Sequence, residues 1–332
     1  MRAIVFDHYG NPDVLSLRDV PIPEPQDGEV LVRVAYAGVN PADSKTRAGH
    51  SARVGYHVAF PFVPGRDVAG VVERTGAGVT GIQQGDRVIG WCSVDGKTWG
   101  SYGEFVRIPA RDVAPMPRSL NFAQAAAIPV ASLTAFQALF HAEKGGMIPG
   151  QKVLIHGAAG GVGGFAVQFA KSGGLLVAAT CGTANAGYVR SLGADRVIDY
   201  TSENVCQAVR DWSADGVDVV LDAVGPATLP KALDVLRGGG RLINLITTTA
   251  DGDMERDRKE AERRGFRKIT TVIDFERARE SMREITNLID RGLVHVPPID
   301  VLPLEDAARA HRMIETGHVR GKLILKVAEL PA

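Results

Sequence analysis

The chain has 332 residues, of which 45% are hydrophobic and 23% are charged, a composition typical of a globular protein with two domains of ordinary size. Its 38 Lys and Arg residues balance its 38 Asp and Glu residues, so charge gives no reason to expect a nucleic-acid or membrane-surface partner. No apolar run approaches the roughly 18 residues of a membrane span. The N-terminus reads as a strand and not as a signal peptide, so we expect a cytoplasmic protein.

The first 120 or so residues read as a domain of short strands, which favours a barrel-like fold. Pro and Gly separate the apolar or alternating segments at short intervals. The stretch from Asn40 to Phe62 is expected to be irregular and could line a cleft. The predicted strands cover residues 3–6, 15–19, 29–38, 70–75, 87–90 and 103–108.

From residue 121 onward the pattern changes to helices and then to alternating strands and helices. Helices are predicted at 122–127 and 132–143, the second with Ser132 as a possible N-cap. Such strand–helix alternation implies a parallel, doubly wound sheet. The segments that alternate are 153–156, 162–172, 175–180, 184–192, 196–199, 203–212, 217–221, 227–236 and 240–246.

Near the end of the chain a helix at 276–292 is closed by Gly292 and followed by Pro297-Pro298. A short strand, a helix at 304–316 and a strand at 322–327 follow these prolines. The charge-rich stretch 250–268 is interpreted as a solvated helix, with a mobile flap as the alternative. The cysteines, Cys92, Cys181 and Cys206, are widely separated and odd in number, so we interpret them as buried hydrophobic residues rather than as a disulfide or zinc pattern.

The stretch around which the chain is organised runs from Val153 to Lys171 and contains the segment Gly157-Ala-Ala-Gly-Gly-Val-Gly163. It reads as strand, glycine turn and helix, which is the arrangement that binds a pyrophosphate at a helix N-terminus. Side chains at this turn would block the approach of the phosphates. We expect Gly163→Asp to abolish dinucleotide binding and to leave the fold intact. The alternative is a glycine-rich helix cap without a ligand.

The whole chain resembles the zinc-independent medium-chain dehydrogenases/reductases, in the quinone oxidoreductase (zeta-crystallin-like) branch. The resemblance implies an α/β protein with an N-terminal GroES-like β-barrel catalytic domain (1–122, completed by 294–332) and a doubly wound Rossmann domain (123–293). A homodimer is common in this branch. The residues that carry the resemblance are Ala37-Gly-Val-Asn-Pro-Ala-Asp43, Pro64-Gly-Arg-Asp-Val-Ala-Gly-Val-Val72, Gly85-Asp-Arg-Val88, Ala158-Ala-Gly-Gly-Val-Gly163, Gly193-Ala-Asp195, Asp222-Ala-Val-Gly225 and Gly321-Lys322.

The resemblance also implies that no catalytic zinc is present. Zinc-dependent members of the superfamily use a Cys and a His-Glu pair, and at these positions the chain has Asn40 and Arg66-Asp67. Arginine has no lone pair for a metal, and Asn is a poor zinc ligand. Without a Lewis acid, we expect a substrate that accepts hydride easily, such as a quinone or an activated enone.

The expected cofactor is NADP(H). A carboxylate at the end of the second Rossmann strand would select NAD, and the sequence Thr180-Cys-Gly-Thr-Ala-Asn185 has none. The nearby Thr183, Asn185 and Arg190 could meet a 2′-phosphate, although Ala186 stands where many relatives have a lysine. The other residues that the motif or the resemblance assigns to the cofactor are Ala159, Gly160, Gly161, Val162, Gly163, Tyr200, Val224, Asn244, Leu245 and Lys322.

Asn40, Asp43 and Thr134 are the candidate catalytic residues. The Asn40 amide could donate to a substrate oxygen on which charge develops, or Asn40 could be a turn residue before Pro41. Asp43 is expected to fix the loop or a cofactor hydroxyl rather than act as a base. Thr134 resembles the residue that faces the nicotinamide, and its alternative is a bond to its own helix turn.

The function that we expect is NADPH-dependent reduction of a small-molecule quinone or α,β-unsaturated carbonyl. An enoyl-type reductase for a longer acyl or polyketide-like substrate is the first alternative. A cofactor-binding redox sensor or structural protein with little turnover is the second. The absence of an obvious general acid in the sequence mildly favours quinones.

Overall fold

The computed structural model describes residues 1–53, 57–92, 98–245 and 251–330. Within these ranges the strands are β1 (Arg2–Val5), β2 (Ser16–Asp19), β3 (Glu29–Val39), β4 (Asp67–Thr75), β5 (Arg87–Trp91), β6 (Phe105–Pro109), β7 (Val113–Pro115), β8 (Lys152–His156), β9 (Leu176–Cys181), β10 (Arg196–Asp199), β11 (Val217–Asp222), β12 (Leu236–Asn244), β13 (Arg267–Thr270), β14 (Ile299–Pro303) and β15 (Lys322–Lys326). The α-helices are α1 (Pro41–Arg47), α2 (His50–Arg53), α3 (Phe122–Ala125), α4 (Pro129–Phe140), α5 (Gly161–Ser172), α6 (Ala186–Ser191), α7 (Val205–Trp212), α8 (Asp251–Arg263), α9 (Ala278–Asp290) and α10 (Ala307–Glu315). None of the described helices has both the length and the apolar character needed to cross a membrane.

The chain divides into two compact units. Unit 1 comprises Met1–Val130, Phe275–Asp290 and Val296–Ala332. Unit 2 comprises Ala131–Asp274 and Arg291–His295. In this division α9 belongs to unit 1, whereas the sequence prediction placed it in the Rossmann domain; the domain boundaries drawn from the sequence stay a prediction.

Unit 1 is built on a mainly antiparallel sheet around the long strand β3. The order of hydrogen-bonded strands is β14-β15-β3-β4-β5-β7, and β6 pairs with β3 as well. The pair β14–β15 is parallel, while the partners of β3 run antiparallel to it. Register shifts after Leu31 and after Val34 interrupt the pairing of β3 with β4, as bulges that bend a sheet do. Val30, Val32 and Val34 are fully buried in the core beneath, and the sheet confirms the predicted β domain.

Unit 2 contains a parallel sheet of six strands in the order β10-β9-β8-β11-β12-β13. The chain starts at the central strand β8, moves outward through β9 and β10, and returns to the other side of β8 with β11. This is the strand order of dinucleotide-binding folds, in which ligands lie at the carboxyl ends of the strands where the order reverses. The doubly wound sheet that the strand–helix alternation predicted is therefore confirmed.

The segment from Asn40 to Phe62, predicted to be irregular, begins instead with the helices α1 and α2. Asn40 has an extended backbone (φ −125°, ψ 150°) and Pro41 follows at the first helical position. Proline is favoured there because its fixed φ suits a helix and its missing N–H is not needed. Residues 54–56 of this segment lie outside the described residues.

The predicted bounds of two helices, α4 and the helix expected over 227–236, were wrong. Helix α4 begins at Pro129, so Ser132 is buried inside it and does not cap it. The helix predicted over 227–236 is reduced to a 3₁₀ turn at Ala232–Val235, because Pro230 interrupts the helical ladder, and β12 starts already at Leu236. The charge-rich stretch contains helix α8, as predicted, and its residue 250 lies outside the described residues.

His311 on α10 is a fully buried histidine in the core of unit 1. Its ring lies edge-on to Tyr102 with the ring centroids 5.8 Å apart, and neither ring nitrogen has a hydrogen-bond partner among the described residues. Burial, together with the charge of Arg47, lowers the pKa of His311 from 6.5 to about 3. The ring is therefore neutral in the folded protein over the whole range in which an exposed histidine titrates.

We expect His311 to make the protein less stable in mild acid. Between pH 6.5 and pH 3 the unfolded chain binds a proton at this residue and the folded chain does not, so the free energy of unfolding falls as the pH falls. The cost at pH 5 is about 2 kcal/mol relative to neutral pH. His311→Phe keeps a ring against Tyr102 and should remove this part of the pH dependence in denaturant titrations at pH 7 and pH 5. His318→Phe, at an exposed position of the same unit, is the control; equal pH dependence of His311→Phe and the wild type would contradict the assignment.

Candidate functional site

Two groups of polar residues stand out, one in each unit. The first is a buried charge cluster in unit 1, which we define as Asn40, Asp43, Arg66, Asp67 and Lys322. Four of these side chains are at most 5% exposed, and that of Arg66 is 16% exposed. The second is the edge of the unit 2 sheet where the carboxyl ends of its strands meet.

Asn40 joins the start of α1 to the start of β4. Its backbone N–H donates to Asp43 Oδ2 at 2.9 Å, and its side-chain Nδ2 donates to Asp67 Oδ2 at 2.8 Å. Asp43 therefore fixes the beginning of α1, in line with the expectation that it would hold this loop. Asn40 Nδ2 donates one of its two N–H groups to Asp67, so this contact does not decide between the turn-residue and the substrate-donor interpretations.

Lys322 is buried at the centre of the cluster and is not a surface residue. Its Nζ donates to Asn40 Oδ1 (2.7 Å), Asp67 Oδ2 (2.9 Å) and Val39 O (3.1 Å). An ammonium has three N–H donors, so all of them are used inside unit 1. Its predicted contact with the cofactor stays a prediction, and in the arrangement seen here it has no donor to spare.

Arg66 forms the second ion pair of the cluster. Its Nη1 donates to Asp43 Oδ1 at 2.8 Å, and its Nη2 donates to Thr46 Oγ1 at 3.2 Å. Burial and the neighbouring carboxylates of Asp43 and Asp67 raise the pKa of Tyr102 well above its usual value, so its hydroxyl, 3.4 Å from Asp43 Oδ2, stays protonated. The cluster thus holds two cations and two anions in contact.

In unit 2, the glycine turn leads from β8 into α5 without a side chain in the way. Gly157 has a positive φ of 84°, and Gly160 is the N-cap of α5 but offers no side chain to its first N–H groups. The first N–H groups of a helix lack partners within the helix and attract anions. The turn is therefore open to a phosphate, as the sequence predicts.

Two glycines of this turn have different roles. A Cβ on Gly163 would lie 2.2 Å from Gly157 O and 2.7 Å from Ala158 Cα, so Gly163 lets the helix pack against the turn. A Cβ on Gly160 would find its nearest neighbour at 3.6 Å. The expectation that Gly163→Asp would leave the fold intact is therefore wrong, because the side chain would collide with backbone. Gly160, in contrast, is a position of the turn where the chain itself has room for a side chain.

A directional chain of hydrogen bonds lies beneath this turn and involves His156, which the sequence analysis did not single out. Gly157 N donates to Thr180 Oγ1 (3.1 Å), and Thr228 Oγ1 donates to Gly225 O (2.9 Å). His156 lies between the two hydroxyls, with Nδ1 at 2.7 Å from Thr180 and Nε2 at 2.9 Å from Thr228. Every group has a partner if Nε2 carries the proton and Nδ1 accepts from Thr180. Burial lowers the pKa of His156, in agreement with this neutral form.

The next turn along the sheet edge is held by Asp222. Its Oδ1 accepts from the backbone N–H groups of Val224 and Gly225 at 3.0 and 2.8 Å, and its Oδ2 accepts from Asn244 Nδ2 at 2.9 Å. Asn244 is 6% exposed, and its Oδ1 has no hydrogen-bond partner among the described residues. A buried acceptor without a donor calls for one from a ligand or a water. This orphaned oxygen is an independent indication that the edge accommodates a polar molecule.

One of the predicted 2′-phosphate residues, Thr183, contacts a carboxylate that the prediction did not consider. Thr183 Oγ1 donates to Asp199 Oδ2 at 2.5 Å, and Thr201 donates to Asp199 Oδ1 through both its N–H and its hydroxyl. These hydrogen bonds, led by that of Thr183, lower the pKa of Asp199. A negative charge therefore sits next to Thr183, where a phosphate was expected.

The structure brings most predicted cofactor residues to one edge of unit 2. Gly160 and Gly161 lie at the start of α5 after β8, and Thr183 and Asn185 follow β9. The remaining predicted cofactor residues at this edge lie in the glycine turn, in α5, or at or after the ends of the other strands. Thr134 is half-buried on α4 in the same unit, whereas Asn40, Asp43 and Lys322 belong to unit 1. Arg190 is exposed on α6. The other edge residues are Ala159, Val162, Gly163, Tyr200 (48% exposed), Val224 (39% exposed), Asn244 and Leu245.

Comparison with known proteins places these features in a family. The model of the family described as "Alcohol dehydrogenase GroES-like domain" matches residues 26–118, and that described as "Zinc-binding dehydrogenase" matches residues 192–325. The quinone oxidoreductase of Rattus norvegicus is 34% identical over 98% of this chain and 97% of its own length. The chloroplastic NADPH-dependent alkenal/one oxidoreductase of Arabidopsis thaliana is 34% identical over 98% of this chain and 79% of its own.

A solved structure gives the same result at the level of the fold. The Escherichia coli quinone oxidoreductase complexed with NADPH superposes with a TM-score of 0.84 and 28% sequence identity, covering 98% of this chain and 100% of that one. The agreement extends over both units, and the identity to the rat protein is high enough to show common family membership. The chain belongs to the medium-chain dehydrogenase/reductase superfamily, in its quinone oxidoreductase (zeta-crystallin-like) branch.

Proposed function

We propose that this protein is an oxidoreductase that uses NADPH to reduce a quinone or an activated α,β-unsaturated carbonyl compound, without zinc. The observation that carries the proposal is the bare start of α5 at the carboxyl edge of the parallel sheet, where Gly160 leaves the first N–H groups open. The names of the relatives, quinone oxidoreductase and NADPH-dependent alkenal/one oxidoreductase, support the class of reaction.

The residues of unit 2 fit a dinucleotide. The N–H groups at the start of α5 suit the pyrophosphate, since they present partial positive charge without a side chain in front of them. The orphaned Asn244 Oδ1 suits a hydroxyl or amide donor of the cofactor. When bound, NADPH supplies a hydride to the acceptor, and the chain's own groups bind and orient both molecules.

The residues of unit 1 do not fit a catalytic zinc. Asp67 is the one potential ligand at the three positions that zinc-dependent relatives use, and its Oδ2 already accepts from Lys322 and Asn40. A metal ion there would have to displace the ammonium of Lys322 and approach the guanidinium of Arg66. The positive charges of Lys322 and Arg66 would both repel a metal cation at this position.

A separate trio of possible ligands in unit 2, His141, Glu143 and Asp274, has its ligand atoms within 4.8 Å of one another. Its members are only partly buried or exposed, and such groups are frequent without a metal, so we assign no ion to it.

We also propose that the protein is a homodimer and that it is located in the cytoplasm. Sedimentation of the pure protein would measure its oligomeric state.

The reaction class is tested by NADPH oxidation with a panel of acceptors before and after dialysis against EDTA. We expect turnover with 1,4-benzoquinone or a short enone, little with a long enoyl thioester, and equal rates with and without the chelator. Loss of activity in EDTA with recovery in zinc would contradict the zinc-free proposal. Tight NADPH binding without turnover of any acceptor would favour the sensor alternative.

The open helix start is tested by changing Gly160. Gly160→Asp should raise the Kd for NADPH by more than about 100-fold, because a carboxylate at this N-cap repels the pyrophosphate and occupies its place. The same side chain can cap α5, so the free energy of unfolding should stay equal or rise by a few tenths of a kcal/mol, about as expected for a cap. Gly160→Asn, a neutral cap of the same size, separates charge from volume.

Gly163→Ala tests the packing role of the second glycine and is compared with Gly160→Asp. It should lower the melting temperature, because the added Cβ collides with Gly157 O. NADPH fluorescence titration and thermal melting measure the two effects. Wild-type NADPH affinity in Gly160→Asp would refute the phosphate site.

The carboxylate of Asp199 is expected to limit the preference for NADPH over NADH. Asp199→Asn should lower the Kd for NADPH several-fold and leave that for NADH nearly unchanged, because only NADPH carries the 2′-phosphate. The gain should shrink at high ionic strength. Asp211→Asn removes an exposed carboxylate elsewhere in unit 2 and is the control. Equal effects of Asp199→Asn on both coenzymes would remove Asp199 from the specificity site.

A further inference from the structure

A pocket opens in unit 1 beside the charge cluster. Its volume is about 250 Å³, including space open to solvent, and it is formed by described residues. Phe62 and Pro64 give it apolar walls, and Asp43, Thr46, Arg66 and Thr98 give it polar ones. The part of this volume that a water-sized sphere can occupy is about 10 Å³, so the pocket suits a single oxygen atom of a ligand and not a whole ring.

Arg66 is the cation that this pocket presents. Its side chain is 16% exposed, whereas its partner Asp43 is fully buried and Lys322 lies deep in the cluster at 5% exposure. One N–H to Asp43 and one to Thr46 hold the guanidinium in place. A guanidinium has five N–H donors, so three remain beyond these two hydrogen bonds within the part of the chain that the structure describes.

We infer that Arg66 binds the oxygen of the electron acceptor in this pocket and stabilises the negative charge that develops on it. This inference rests on the proposed reductase function and names the residue that replaces the Lewis acid of the zinc-dependent relatives. A fixed, permanently charged donor aimed at a developing oxyanion is among the strongest contributions a protein can make to such a reaction.

The reaction balances without a protein acid. The acceptor gains a hydride, that is two electrons and one proton, while NADPH becomes NADP⁺. The added charge resides on the acceptor oxygen as a hydroquinone monoanion or an enolate, and one proton from water completes the product. A guanidinium is not deprotonated in proteins, so Arg66 donates hydrogen bonds and gives up no proton.

The test replaces Arg66 by Gln and by Lys and measures two independent signals. The first is kcat and KM for 1,4-benzoquinone with NADPH. We expect Arg66→Gln to lower kcat about 100-fold, as for the loss of one oxyanion donor, with a smaller change in KM, and Arg66→Lys to recover part of the loss. Arg111→Met, at an 82% exposed arginine of the same unit, should behave as the wild type.

The second signal is the absorbance of bound 4-nitrophenol, a probe that mimics the hydroquinone anion. The wild type should hold it as the phenolate at a pH where the free probe is largely protonated, and Arg66→Gln should not. Arg66→Lys keeps the charge opposite Asp43, so it gives a folded comparison if Arg66→Gln proves unstable. Wild-type kcat and a wild-type phenolate signal in a folded Arg66 variant would overturn the inference.

The two signals separate this inference from the proposed function. Phenolate binding that depends on Arg66, in a protein that oxidises no NADPH with any acceptor, would refute the reductase and keep the oxyanion site. Turnover that is insensitive to both Arg66 substitutions would keep the reductase and refute the site.

Discussion

The polar interior of unit 1 depends on the ammonium of Lys322. Strand β15 pairs with β3 so that Leu323 lies opposite Val39, and this register places Lys322 beside Asn40 and the start of β4. One side chain then connects segments that are 283 and 255 residues away in the sequence. Without it, Asp67 would be a fully buried carboxylate with no cation, which typically costs about 3–5 kcal/mol.

In unit 2, the buried polar side chains directly beneath the glycine turn are held by neutral hydrogen bonds. His156, Thr180 and Thr228 form a neutral chain in which each hydrogen has one acceptor. A neutral imidazole leaves the peptide dipoles of α5 as the source of positive potential at the glycine turn. Peptide dipoles do not titrate, so the attraction for a phosphate stays the same across neutral pH. This arrangement suits a site that must hold a dinucleotide under varied conditions.

The sequence predicted what is encoded locally and missed what depends on distant partners. The glycine turn and the parallel sheet were predicted, because glycine spacing and strand–helix alternation are visible within short windows. The partners of Lys322 were not, since nothing in Gly321-Lys322 reveals that β15 lies beside β3. The role of Asp199 was missed because the search for a carboxylate stopped at the end of β9, while the carboxylate comes from the neighbouring strand β10. Proline explains the errors in helix extent: Pro129 starts a helix earlier than Ser132, and Pro230 prevents one.

The proposed use of Arg66 in place of a metal ion limits which acceptors the site can reduce. A guanidinium stabilises an oxyanion but cannot lower its basicity as strongly as a bound metal ion does. Reduction of a simple ketone leaves an alkoxide, whose conjugate acid is about as weak as water. Reduction of a quinone leaves a phenolate, with a reference pKa of about 10. Reduction of a quinone therefore requires much less charge stabilisation from the protein than reduction of a ketone does. As the proposed oxyanion donor, Arg66 held by Asp43 favours acceptors that delocalise the incoming charge.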